Sequence, residues 1–127
     1  MEKHILFVDD SPTMRASVVL SLHDASYQVT ESVNGRDALG KLRSMETEGR
    51  RPALILTDVN MPEMDGITFI TKIKQGPFKF VPILVLTTEG DQVLIEQGRL
   101  AGASGWLLKP FQPEQLLGAI KKLVWLA

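Results

Sequence analysis

The sequence predicts an α/β protein built on one five-stranded parallel sheet, doubly wound, with helices on both faces. Three observations carry this. Four short runs, Ile5-Leu6-Phe7-Val8, Ala53-Leu54-Ile55-Leu56, Ile83-Leu84-Val85-Leu86 and Trp106-Leu107-Leu108, are apolar without interruption, as strands buried on both faces are. Between them apolar residues recur at helical spacing, so strand and helix alternate. Finally, 127 residues, 44% hydrophobic and 23% charged, suit one domain, which would bury about two thirds of its unfolded surface.

Each element has its own signals. Ile5–Val8 reads as a strand that stops at Asp9-Asp10. Ser11 is placed to cap a helix with Pro12 at its first position, and Met14, Val18, Leu22 and Ala25 follow at helical spacing. Residues 27–33 alternate Val29 and Val33 with polar neighbours, which predicts a less buried edge strand closed by Asn34-Gly35. Ala38, Leu42 and Met45 mark a second helix, ended near Gly49 and Pro52. Ala53–Leu56 is a strand stopping at Thr57-Asp58. A loop from Asn60 to Gly66 leads into a helix marked by Ile67, Ile70 and Ile73 and stopped by Gly76-Pro77. Ile83–Leu86 stops at Thr87-Thr88. A helix spans Asp91 to Ala101, and Trp106–Leu108 stops at Lys109-Pro110. The last helix opens at Pro113 and carries Leu116, Leu117, Ile120, Leu123 and Val124.

Composition narrows the chemistry. There are no cysteines, which excludes disulfides, zinc-thiolate sites and a cysteine nucleophile. No apolar run is long enough to span a membrane, and residues 1–4 do not open a signal peptide. The net charge of −1 draws the chain to neither nucleic acid nor membrane. A monomeric, cytoplasmic protein is expected, a single domain over residues 1–127 with no output domain. The charge is uneven: residues 1–66 hold 11 acids and 7 bases, residues 67–127 hold 4 and 7. His4 and His23 share no metal-ligand pattern.

In an open parallel sheet, ligands bind beyond the carboxyl ends of the strands. The residues there are Asp9-Asp10, Asp58, Thr87 and Lys109. Singly, each has an ordinary role: helix cap, turn residue, solvated charge. Together they put three carboxylates, a hydroxyl and an ammonium on one edge. Close carboxylates repel, and a hard divalent cation relieves that; oxygen ligands with room for water or phosphate describe Mg²⁺ better than Ca²⁺. A backbone carbonyl near Asn60 can add a ligand. The set also suits phosphoryl transfer to an aspartate, with Lys109 and Thr87 placed to meet phosphoryl oxygens.

These residues carry a resemblance. Val8-Asp9-Asp10-Ser11, Thr57-Asp58-Val59-Asn60-Met61-Pro62-Glu63-Met64-Asp65-Gly66, Thr87-Thr88-Glu89 and Lys109-Pro110-Phe111 resemble the receiver domain of two-component response regulators, over essentially the whole chain. Thr13-Met14-Arg15 and Ala101-Gly102-Ala103-Ser104-Gly105 bring it nearest to the stand-alone chemotaxis members. The resemblance implies a flavodoxin-like fold with strand order 2-1-3-4-5. It implies that Asp58 accepts phosphate from a histidine kinase. Asp9, Asp10, Asp58 and the Asn60 carbonyl would hold Mg²⁺, Lys109 would contact the phosphoryl group, and the Lys109–Pro110 bond would be cis. Thr87 and Trp106 would form the switch, and Asn60, Thr88 and Glu89 would tune dephosphorylation, the phosphate decaying on its own. Trp106 stands where the family usually has Tyr or Phe, and Thr88 where it often has Ala or Gly.

Output would then be by binding. Val93-Leu94-Ile95 spans more helix circumference than a stripe of Leu94, Gly98 and Ala101 can bury, so Ile95 is expected exposed near Trp106, with Lys121 and Lys122 adding basic character. Ile95, Trp106 and Lys122 are the expected partner-binding residues. Expected partners are the kinase, a downstream target such as a flagellar motor switch component, and a phosphatase. A phosphorelay shuttle or phosphate sink is an alternative. An aspartyl-phosphate phosphatase is another, but those enzymes typically place a second acid two residues after the nucleophile, and positions 60 and 11 are Asn and Ser. The chain is thus read as a switch protein, not an enzyme acting on outside substrates.

Overall fold

The structure, a computed structural model, describes residues 3–59, 61, 63–88 and 92–126, with side chains described as far as Val124. Among them the chain alternates strand and helix: β1 (His4–Val8), α1 (Pro12–Asp24), β2 (Gln28–Ser32), α2 (Gly35–Thr47), β3 (Leu54–Asp58), α3 (Gly66–Lys74), β4 (Ile83–Thr87), α4 (Gln92–Ala101), β5 (Gly105–Leu108) and α5 (Pro113–Leu126). The strands form one parallel sheet in the order β2-β1-β3-β4-β5. This is the flavodoxin-like arrangement.

Strand residues alternate between two cores, as the period of two requires. Leu6, Val8, Ile55, Ile83 and Val85 face a core with Ala38, Leu42 and Met45 of α2 and Phe69, Ile70 and Ile73 of α3; Leu94 and Ala101 of α4 and Trp106 pack at its margin. Ile5, Phe7, Leu54, Leu56, Leu84 and Leu86 face the other, against Val18 and Leu22 of α1 and Leu116, Ile120 and Val124 of α5. Register holds like with like: Ile5 pairs with Leu54, and Leu6 with Ile55. Both faces being covered is why these strands read as unbroken apolar runs.

The helices start where capping chemistry puts them. The Ser11 hydroxyl accepts from the Met14 amide at 3.2 Å, Asn34 Oδ1 from Asp37 at 2.8 Å, and Asp65 Oδ1 from Thr68 at 2.9 Å. The edge strand is shorter than residues 27–33. Val33 lies beyond it and is 46% exposed, because the chain is already turning into the Asn34 cap. Ala25 is not part of the buried face of α1; it is the exposed C-cap. On α3 both Phe69 and Ile70 are fully buried, while Ile67 is half-buried.

Candidate functional site

The carboxyl end of the sheet gathers the strand-exit residues. Asp9 follows β1, its side chain fully buried. Its Oδ1 accepts from the Ser11 amide at 2.9 Å, so the same turn that caps α1 orients the carboxylate. Asp58 ends β3 with its side chain 13% exposed, and its Oδ1 accepts from the Val59 amide at 2.6 Å. Lys109, just past β5, bridges the two: its Nζ lies 3.0 Å from Asp9 Oδ2 and 3.1 Å from Asp58 Oδ2. Burial pulls the ammonium toward deprotonation, but the Asp9 and Asp58 carboxylates outweigh it and raise its pKa above the usual lysine value. The Lys109–Pro110 peptide is cis.

Asp10 is exposed, with no hydrogen bond or ion pair to another described residue. One carboxylate oxygen each of Asp9, Asp10 and Asp58 lie within 4.8 Å of one another. Three carboxylates against one ammonium leave two negative charges on an all-oxygen donor set. That matches a small divalent cation such as Mg²⁺, which takes one or two carboxylates and keeps water or phosphate in its other positions.

Thr87 ends β4, buried. Its carbonyl accepts the Lys109 amide at 2.8 Å, which ties the exits of β4 and β5 together. Thr88, next along, is exposed. Asn60 and Glu89 lie outside the described residues.

Three residues that the sequence reading places only in motifs or in a buried stripe act as positioning residues. Arg15, on the first turns of α1, donates from Nη1 to the Asp9 carbonyl at 2.7 Å, and its Nε lies 3.5 Å from Glu31 of β2. Gly66 opens α3 against the end of β3; a Cβ there would stand 2.6 Å from the Asp58 carbonyl oxygen and 2.7 Å from Val59 Cα. Its place in the Met64-Asp65-Gly66 stretch was the available signal. Gly98 of α4 faces the Trp106 ring.

The expected partner surface needs one correction. In the Val93-Leu94-Ile95 run the solvent-facing residue is Val93, 66% exposed, whereas Ile95 is half-buried. Ile95 lies one turn before Gly98, on the helix side turned to β5, and lines a recess with Arg99, Ala103 and Trp106. Trp106 is itself half-buried. Lys121 and Lys122 are exposed on α5.

A doubly wound sheet that assembles paired carboxylates, a third acid and a lysine at its carboxyl end defines a class of signalling domain. The response regulator receiver domain matches residues 5–121, and the chain belongs to that family. It is similar in particular to the chemotaxis protein CheY of Thermotoga maritima, 34% identical over 97% of this chain and 98% of that one. Among solved structures it is similar to the chemotaxis response regulator CheY4 of Vibrio cholerae, with TM-score 0.87 and 40% identity over 97% and 99% of the two chains. The receiver domain of the Pseudomonas aeruginosa sensor histidine kinase PA1611, solved with magnesium coordinated in its active-site cleft, aligns with TM-score 0.85 and 28% identity over 98% and 99%. The chain spans 48% of the transcriptional regulatory protein SrrA of Staphylococcus aureus, at 34% identity over 98% of its own length. No helix of the described residues is long and apolar enough to cross a membrane.

Proposed function

We propose that this receiver domain is a stand-alone, Mg²⁺-dependent phosphoaspartate switch. Asp58 takes a phosphoryl group from the phosphohistidine of a histidine kinase, and the product binds a target protein, in chemotaxis or a related response. The observation that carries this is the Lys109 ammonium between Asp9 and Asp58, with Asp10 beside them and unpaired among the described residues.

In the transfer, a carboxylate oxygen of Asp58 attacks phosphorus, the P–N bond breaks, and the imidazole leaves with the electron pair and is protonated. Asp9, Asp10, Asp58 and the Asn60 carbonyl are the residues that would hold the cation. When bound, Mg²⁺ neutralises phosphoryl oxygens and orients the donor. Lys109, already hydrogen-bonded to Asp58, is placed to follow the new charge onto a phosphoryl oxygen. Thr87 is one strand exit away, and its backbone is fixed to that of Lys109. Thr88, with Asn60 and Glu89, would set how fast water removes the phosphate.

The similarity to chemotaxis proteins over nearly their full length supports the stand-alone reading and a role in chemotaxis. The phosphatase alternative gains nothing at position 11, where the Ser11 hydroxyl is spent on capping α1.

The test is intact-mass spectrometry with Mg²⁺ and acetyl phosphate, or a phosphorylated kinase domain, alongside Asp58→Asn. One added phosphoryl on the parent and none on the variant is expected, with a change in Trp106 fluorescence. Equal labelling of both, or none from either donor with Mg²⁺ bound, overturns the assignment. Labelling without a fluorescence response points to a relay or sink.

A further inference from the structure

Trp106 and Gly98 fit each other. A Cβ built on Gly98 would lie 2.5 Å from Trp106 Cζ3 and 3.4 Å from both Cε3 and Cη2. No real Cβ approaches a ring that closely, and the near atoms belong to a flat, rigid indole with nowhere to fold. Among the described residues the buried indole Nε1 has no acceptor, and the ring is seated by packing against the core. Gly98 also sits inside a ten-residue helix, where glycine is a poor helix former. Gly118 of α5 would meet nothing within 4 Å on gaining a Cβ, so contact with an aromatic ring is not a general property of the glycines in these helices.

We propose that Gly98 is the positioning residue for Trp106: the side chain missing from α4 lets the indole seat inside the fold, and any Cβ at 98 drives the ring outward onto the α4–β5 surface. The seated ring forms one wall of a recess of about 150 Å³ that also includes Ile95, Arg99 and Ala103. Expelling it changes that face. The consequence for signalling, that residue 98 sets the resting state of the output surface, rests on the switch reading above; the steric pairing does not.

The test uses Trp125→Phe, leaving Trp106 as the one tryptophan of the two in the chain. Gly98→Ala is expected to move its emission to longer wavelength and to raise acrylamide quenching; unchanged emission and quenching overturn the proposal. Thermal unfolding gives the second reading. With Trp106 present, Gly98→Ala lowers Tm. With Trp106→Ala, the same change raises it, because alanine is the better helix former once the ring is gone. Gly118→Ala raises Tm in both backgrounds. An effect of Gly98→Ala with the same sign in both overturns the pairing, as does failure of Gly98→Ala to fold in both. Folding only in the Trp106→Ala background supports it. No phosphodonor is involved, so failure here leaves the Asp58 assignment standing.

Discussion

The guanidinium of Arg15 donates to the main-chain carbonyl of Asp9 at 2.7 Å while its Nε faces Glu31, 3.5 Å away on the edge strand. One side chain therefore ties the first turns of α1 to the loop carrying two of the three acids, and to β2. Arg15→Ala should cost about 1.5–3 kcal/mol in urea unfolding, the range for a hydrogen bond that involves a charged group. It should also weaken Mg²⁺ binding, measured by titration calorimetry, because the Asp9 backbone loses its brace. Arg15→Lys should recover only part of this, since an ammonium lacks the two-directional fork.

Lys109 occupies carboxylate oxygens of Asp9 and Asp58 that the proposed cation would also use. Replacing it with a neutral residue of similar length, Lys109→Met, leaves the three carboxylates without their internal counter-charge. Divalent-cation affinity should rise about tenfold, about 1.4 kcal/mol. Phosphoryl transfer should fall, because the charge that meets the product is gone. Affinity and transfer moving together would contradict this placement of Lys109.

Asp65 caps α3, and its pKa lies below the ordinary carboxylate value because the Thr68 amide donates to it; partial burial opposes this without winning. The unfolded chain therefore takes up the proton first as pH drops. The stabilisation is present above the ordinary value of 3.8 and is lost as pH falls through the lowered folded value. Asp65→Ala should cost about 1 kcal/mol at pH 7 and flatten the acid limb of the stability–pH curve. Asp65→Asn should keep most of the cap and lose the pH dependence.

Gly66 makes the approach of α3 to Asp58 possible. Gly66→Ala places a Cβ against backbone that cannot step aside, and should destabilise by about 1–3 kcal/mol. Phosphorylation of Asp58 should fall further than that loss of stability accounts for, as read at a temperature where the variant is fully folded.

The sheet and its acids were legible for a shared reason. Strands buried on both faces leave unbroken runs such as Ile5–Val8, and whatever ends each run stands at the ligand-binding edge. Asp9, Thr87 and Lys109 stand one position past an apolar run, and Asp58 two. What could not be read was contact between elements. Nothing local in Gly98 announces the ring of Trp106, eight residues on and across a turn. Arg15 looks like any helix-surface arginine until α1 is laid beside Asp9. The stripe of Leu94, Gly98 and Ala101 leaves open which of Val93 and Ile95 turns outward; Ile95 is the half-buried one because it lies beside the indole of Trp106.

Lys109 reaches its two partners from 100 and 51 residues away, at the end of the last strand in both chain order and sheet order. Asp9, Asp10 and Asp58 are all synthesised well before it. A growing chain on the ribosome, with β5 not yet docked, holds the acids but not the ammonium that reconciles them. On the function proposed above, competence to receive a phosphoryl group is tied to completion of the fold, because the lysine that closes the site arrives with the last strand.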